Sequence, residues 1–258
     1  MTETEILAKF KNTLPAHLGY RDLLSQKDLD QGDTSQRVGT LFALSALTQT
    51  DISPHPDFFR SYCKLKAAPG LYARSPNPSF WGHNPNNLSR DQLSVLKLGM
   101  VMNNKWEYLL ETFIRQTMRL GFHQNTHRGG DLAQDPWKLP DYWNPGELSA
   151  FSRGLLGIFS YPITFILDLC LFIDLYLRTS DNWDSDNQLA LNLLVANAKY
   201  PTPWSRLAMK RYLKTNFMSR LWNYHKDSDG NNGCEPLYWL FRLAYLKLYA
   251  YDPGTSAP

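Results

Sequence analysis

The chain has 258 residues, enough for one large domain with a substantial core, and its 43% hydrophobic and 20% charged residues are those of an ordinary soluble globular protein. A formal net charge of +3, spread evenly, gives no basis for nucleic-acid binding. Three cysteines, Cys63, Cys170 and Cys234, are odd in number and far apart, which excludes both a disulfide framework and a metal-ligand spacing.

Met1 to Lys11 is polar and acidic and lacks the apolar stretch of a signal peptide, so a cytoplasmic address is the default. The first clear helical period runs from Thr34 to Leu47, where Val38, Leu41, Phe42 and Leu44 follow an Asp/Thr/Ser start. Asp57 to Ala67 reads as a short helix stopped by Pro69-Gly70. Ser89 to Met102 repeats the helical period through Leu93, Leu96 and Met100, and Lys105 to Leu120 follows, closed by Gly121. Glu147 to Phe159 and Ile163 to Arg178 form an apolar pair split at Pro162. Ser185 to Ala198, Pro203 to Tyr224 and Pro236 to Tyr251 complete the helices. No run combines alternation with β-branched enrichment well enough to predict a sheet.

The stretch Leu155 to Leu177 is almost continuously apolar and about long enough to cross a bilayer. It also holds Pro162, Asp168 and Asp174, and aspartates are costly inside a lipid-facing helix. The expectation is therefore a helix buried on most sides in an all-helical core, with a membrane-associated protein acting through residues 155–177 as an alternative.

Two long loops interrupt the helices. Pro69 to Leu88 contains Tyr72, Arg74, Trp81 and His83; Phe122 to Pro145 contains His123, His127, Trp137 and Trp143. Loops of this length are often functional. The aromatic residues, 14% of the chain, either line a groove for a flat ligand such as a sugar or fill a core of large helices. For Tyr72, Trp81 and His83 the same choice stands between a stacking platform and a proline-rich cover packed by its own rings. His123 and His127 have a zinc-like spacing only if they lie on a helix, and Gly121, Gly129 and Gly130 argue against one. Asp227-Ser228-Asp229-Gly230-Asn231 opens like a calcium loop. Asn232 and Tyr238, however, stand where such a loop needs its glycine and its glutamate, so a polar turn is expected. No metal or other cofactor is expected.

Two polar clusters carry the candidate chemistry. Gly32 to Gly39 holds Asp33, Thr34, Ser35, Gln36 and Arg37, and Ser89-Arg90-Asp91-Gln92 opens a second helix. Each has a sufficient explanation as a helix start, with Asp33, Thr34 or Ser35 capping one helix, Ser89 the other, and Asp91 favoured by the dipole. Capping leaves Gln36 and the glycines unexplained; Gly32 and Gly39 would admit a ligand or a neighbouring helix at close range. The functional reading sets Asp33 and Asp91 across a cleft as acid and base, with Arg37, Arg90 and Gln92 positioning substrate. Paired carboxylates of this kind are what glycosidic cleavage uses.

The set Asp33-Thr34-Ser35-Gln36-Arg37, Pro69-Gly70-Leu71-Tyr72-Ala73-Arg74 and Ser89-Arg90-Asp91-Gln92 resembles one found in poorly characterised bacterial and phage-associated helical proteins. These are similar in turn to the α/α toroids of polysaccharide-active enzymes. The resemblance covers mainly residues 30–95 and implies an incomplete toroid with its site on one rim. The expectation is an all-α protein of packed helical hairpins, a single domain over 1–258. Its leading function is a glycoside hydrolase or polysaccharide lyase acting on a polysaccharide or glycan. Asp33 and Asp91 are the catalytic candidates, and Arg37, Arg90, Gln92, Tyr72, Arg74, Trp81 and His83 the substrate-binding ones. A non-catalytic structural or interaction protein is the competing class.

Overall fold

The computed structural model describes residues 1–17, 34–50, 66–68, 71–72, 90–105, 110–111, 145–177, 183–212 and 235–250, with backbone alone at several of them, including 36–37, 72 and 90–94. The fold is all-α. Among the described residues there are eight α-helices: α1 (Glu3–His17), α2 (Thr34–Thr48), α3 (Arg90–Met102), α4 (Pro145–Leu156), α5 (Tyr161–Leu177), α6 (Trp183–Ala198), α7 (Pro203–Tyr212) and α8 (Glu235–Tyr249). A minimal antiparallel ladder pairs β1 (Lys66–Ala68) with β2 (Leu71–Tyr72). Lys66 and Ala67 are thus extended rather than the last turn of a helix, because Pro69-Gly70 beyond them favours a tight reversal over helix continuation.

The first helix was not anticipated from the acidic N-terminus, yet its signal is local. The Thr2 N–H donates to Glu5 Oε2 at 2.8 Å and the Glu5 N–H donates to Thr2 Oγ1 at 3.3 Å, a reciprocal capping box. The backbone N–H and then the hydroxyl of Thr2 hold the Glu5 carboxyl below its ordinary pKa. Ile6 and Phe10, one turn apart, are both buried. Helix α1 packs on α8, and α8 packs in turn on α2. At that junction Lys247 Nζ donates to the Thr48 carbonyl at 2.9 Å and pairs with Glu3 Oε1 at 2.8 Å, so a cation meets the negative end of α2.

Helices α2 and α3 form the most closely packed pair. A Cβ on Gly39 would lie 2.5 Å from the Leu96 nitrogen and the Val95 carbonyl carbon, and one on Gly99 would lie 2.8 Å from Phe42 Cβ. Asn103 Nδ2 donates to the Phe42 carbonyl at 2.8 Å. Contacts 39 to 95–96, 42 to 99 and 42 to 103 rise together along both chains, so the helices run parallel. Both end in the same way, with a residue of positive φ, Gln49 or Asn104. The N–H that follows returns to a carbonyl five residues back, Thr50 to Ser45 and Lys105 to Met100, each at 2.9 Å. The pair is therefore in register from end to end.

Helix α6 has the most helical neighbours among the described residues, and every residue from Ala190 to Ala196 in it is buried. It packs against α2, α3, α4, α7 and α8. A helix apolar around most of its circumference takes a central position.

The expectation for residues 155–177 is overturned. Of the most apolar 18 residues between Leu148 and Leu177 only 22% are buried. In α5 the buried residues are Thr164, Asp168, Leu171 and Leu175, one stripe at spacings of four, three and four. That stripe faces α4 and α7, the main packing partners of α5. Two of its four members are polar, whereas Ile163, Ile166, Ile173, Tyr176 and Leu177 outside it are exposed. The break between α4 and α5 also differs from expectation. It lies at Gly157, which has φ of 56° and leads into a 3-10 turn (Gly157–Ser160). Pro162 sits in the first turn of α5, where its missing N–H costs nothing.

Candidate functional site

The polar clusters come first in chain order. The register of the parallel pair carries back from Gly39 and Val95 by five residues to Thr34 and Arg90, so both helix starts lie at one end of the bundle. Gly39 serves the approach of α3 rather than of a ligand. Ser35 is fully buried in the first turn of α2, and its Oγ has no hydrogen-bond partner among the described residues. Arg37, Arg90, Asp91 and Gln92 lie in the first turns of α2 and α3, and Tyr72 in β2, all with backbone alone described. Asp33, Arg74, Trp81 and His83 lie outside the described residues, as do His123, His127 and the Asp227–Asn231 segment. Among the described residues no three His, Cys, Asp or Glu side chains gather into a metal-binding group.

A second constellation comes from α4, α5 and the start of α7. Arg153 and Asp168 are fifteen residues apart, which on a continuous helix would be about 22 Å. Instead Arg153 Nη2 lies 2.5 Å from Asp168 Oδ2 and Nη1 lies 3.1 Å from Oδ1, a two-pronged ion pair with both side chains fully buried. The chain therefore doubles back at Gly157 and α4–α5 is a hairpin. Ser149 Oγ donates to Asp168 Oδ1 at 2.7 Å and accepts from Arg153 Nη1. Thr202 Oγ1 donates to Asp168 Oδ2 at 2.6 Å.

That threonine also starts α7. The Ser205 N–H donates to Thr202 Oγ1 at 3.2 Å and the Thr202 N–H donates to Ser205 Oγ at 3.1 Å, with Pro203 at the first helical position. Asp168 thus accepts two hydrogen bonds on each oxygen and ties three helices together. Its saturation marks it as a structural lock: no lone pair faces an opening where substrate could reach it.

What the lock holds is the outer surface of the hairpin. At its tip Leu155 is 59% exposed, Ile158 64% and Phe159 83%. The exposed apolar face continues along α5 through Ile163, Ile166 and Ile173 to Tyr176 and Leu177. A surface helix ordinarily turns its apolar stripe inward and its polar residues to water. Here the order is reversed, and a continuous exposed apolar patch of this length marks a contact surface. Asp174 is the exposed acid of α5 and lies near its C-terminal end.

The flank of this surface is basic. Phe165 and Phe172 pack on Trp204, with ring centroids 6.1 and 5.7 Å apart, which seats α7 beside α5. Helix α7 carries Arg206, Lys210 and Arg211, all exposed, and no acid. The Arg211 guanidinium lies 5.3 Å from the centre of the Tyr176 ring, at the edge of the apolar face. At the hairpin tip, Tyr200 reaches Gly157.

The sequence reading places this segment in the core and keeps a membrane surface only as its alternative, because apolar content alone does not distinguish a core helix from a contact helix. The available signal was the position of the polar residues. Thr164 and Asp168 share one face of α5 with Leu171 and Leu175, so these two polar groups fall on the side a core needs, and Asp174 alone does not. Comparison of the chain with protein-family models, with curated proteins and with solved structures gives no match in any of the three.

Proposed function

We propose that this protein associates with membranes, seating the α4–α5 hairpin in the lipid interface beside the basic helix α7. The observation that carries the reading is the inverted polarity of α5, with Thr164 and Asp168 inside and the isoleucines outside. At 17 residues α5 is about 26 Å long, short of the ~30 Å hydrocarbon core, and the chain reverses at Gly157. The hairpin therefore suits shallow, one-sided insertion rather than a span. Exposed tyrosines at 161, 176 and 200 suit the headgroup level, and Arg211, beside Tyr176 at the edge of the apolar face, complements anionic lipid. Face-to-face pairing with a second copy would instead bring like-charged flanks together.

The test is flotation with phosphatidylcholine vesicles, with and without phosphatidylserine. The wild-type protein should float with both, and more completely with the anionic ones. Ile158→Asp/Phe159→Asp removes two exposed side chains, each worth about 1.5–3 kcal/mol when buried, so binding should fall about tenfold or more with the helical spectrum unchanged. A wild-type protein that floats with neither vesicle, or a double variant that binds equally well, would overturn the proposal.

A second reading keeps the polar clusters as a carbohydrate site, on a partial α/α toroid, with Asp33 and Asp91 as acid and base. It is favoured by the shared end of α2 and α3 and by the buried, unpartnered hydroxyl of Ser35. Its test is an Asp91→Asn variant on a panel of polysaccharides. Wild-type cleavage that the variant loses supports it; no cleavage by either, or equal cleavage by both, removes it.

A further inference from the structure

The apolar face of the α4–α5 hairpin is poor in charge. Across residues 154–173 the one charged residue is Asp168, and it is fully buried. On α5, Ile166, Ile173 and Leu177 are all exposed, and at 3.6 residues per turn they lie within about 40° of one another around the helix. Asp174 and Tyr176 fall about 80° to either side of Ile166. Arg211 of α7 lies on the Tyr176 side, 5.3 Å from the ring centre. The exposed acid and this cation therefore stand on opposite edges of the face, near its C-terminal end, and the middle of the face is uncharged. Arg206 and Lys210 line a cavity with Asn197, Tyr245 and Tyr249, on the side of α7 towards α6 and α8.

The shape of the hairpin is fixed before it meets lipid. Asp168 ties α4, α5 and the start of α7 together, and the chain reverses at Gly157 through a 3-10 turn. Leu155, Ile158 and Phe159 are exposed at that tip as a preformed, bulky apolar group. Such a wedge gains from a bilayer by inserting side chains among the lipids, not by pairing charges. A flat, well-packed leaflet admits them only when its headgroups are forced apart. A strongly convex leaflet, or one holding lipids with small headgroups, already leaves hydrocarbon uncovered. Charge acts differently, since it draws a protein to any anionic surface however tightly that surface is packed.

We infer that the α4–α5 hairpin recognises loose lipid packing, seating on highly curved or defect-rich leaflets in preference to flat ones, with lipid charge a lesser factor. The inference rests on the membrane reading above and adds which membranes that surface selects. Large apolar side chains run along the whole face, whereas its charge amounts to one cation on one edge and one acid on the other. Because both helices are formed and locked before contact, binding needs no folding step, and the helical content of the free protein should match that of the bound one.

The experiment is flotation of the full chain at matched accessible lipid, with phosphatidylcholine vesicles about 30 nm and about 200 nm across. A third set, of the larger size, contains diacylglycerol, whose small headgroup loosens packing without curvature. A fourth, also large, contains phosphatidylserine. Binding to the small vesicles and to the diacylglycerol vesicles should each exceed binding to large phosphatidylcholine vesicles by about tenfold or more. Phosphatidylserine should add no more than about fivefold, the effect of a single cation, and Arg211→Gln should remove that increment while keeping the size preference. Ile166→Ala/Ile173→Ala trims the face at two exposed positions and keeps the helix, so it should lower binding to small vesicles more than to large ones. Equal binding to both sizes, or a phosphatidylserine effect larger than the size effect, overturns this inference and leaves the hairpin reading in place. Absence of binding to every set overturns both.

Discussion

An Asp168→Ala variant is expected to unfold about 3–5 kcal/mol more easily than the wild type, measured by urea denaturation followed by circular dichroism. Alanine would leave the Arg153 guanidinium fully buried without a counter-charge, with Ser149 and Thr202 deprived of their acceptor. The cost is that of an uncompensated buried charge, which exceeds the net worth of the ion pair itself. Since whole domains are stable by only about 5–15 kcal/mol, this one change consumes a large share. The double variant Arg153→Met/Asp168→Leu should recover part of the loss, because removing both charges removes the stranded one. Recovery would be incomplete, as the two hydroxyls would still lack a partner. If Asp168→Ala costs less than about 1 kcal/mol, the size of an ordinary hydrogen bond, the three-helix lock is wrong.

At Gly39 the expected result reverses a familiar rule. Glycine to alanine inside an exposed helix gains about 1 kcal/mol from propensity. Here Gly39→Ala should destabilise by about 1–3 kcal/mol, and Gly39→Leu by more, because the new Cβ would meet backbone atoms of Val95 and Leu96 at 2.5 Å. A flexible side chain could move aside, whereas helix backbone moves only if α2 and α3 separate. Gly99→Ala should act on the same contact through Phe42 and the Gly39 carbonyl, so the two substitutions should not be additive. A thermal melt of Gly39→Ala at or above the wild-type midpoint would contradict the close parallel pair.

The sequence reading and the structure agree best where information is local. Helix α2, expected from Thr34 to Leu47, runs Thr34–Thr48, and α3, expected from Ser89 to Met102, runs Arg90–Met102. Period, capping residues and terminal glycine or asparagine act within a few positions and need no partner to be read. The capping box of α1 was equally local and went unread because Ile6 and Phe10 are too few to stand out among charged neighbours. Of the polar clusters, the sequence makes the helix starts plain but not that both starts lie at one end of the bundle, which depends on a parallel crossing set by Gly39 and Gly99.

The sequence by itself determined that the fold is helical, where most of the helices among the described residues begin and end, and which of them is the most apolar. Only the tertiary structure decided what that apolarity is for. The central place went to α6, while α5 turned its isoleucines outward. Periodicity records which residues share a face but not which face meets the bundle. In α5 that choice was made by Asp168, whose charge is tolerable in a buried place only where Ser149 and Arg153 from α4 and Thr202 from the start of α7 converge on it.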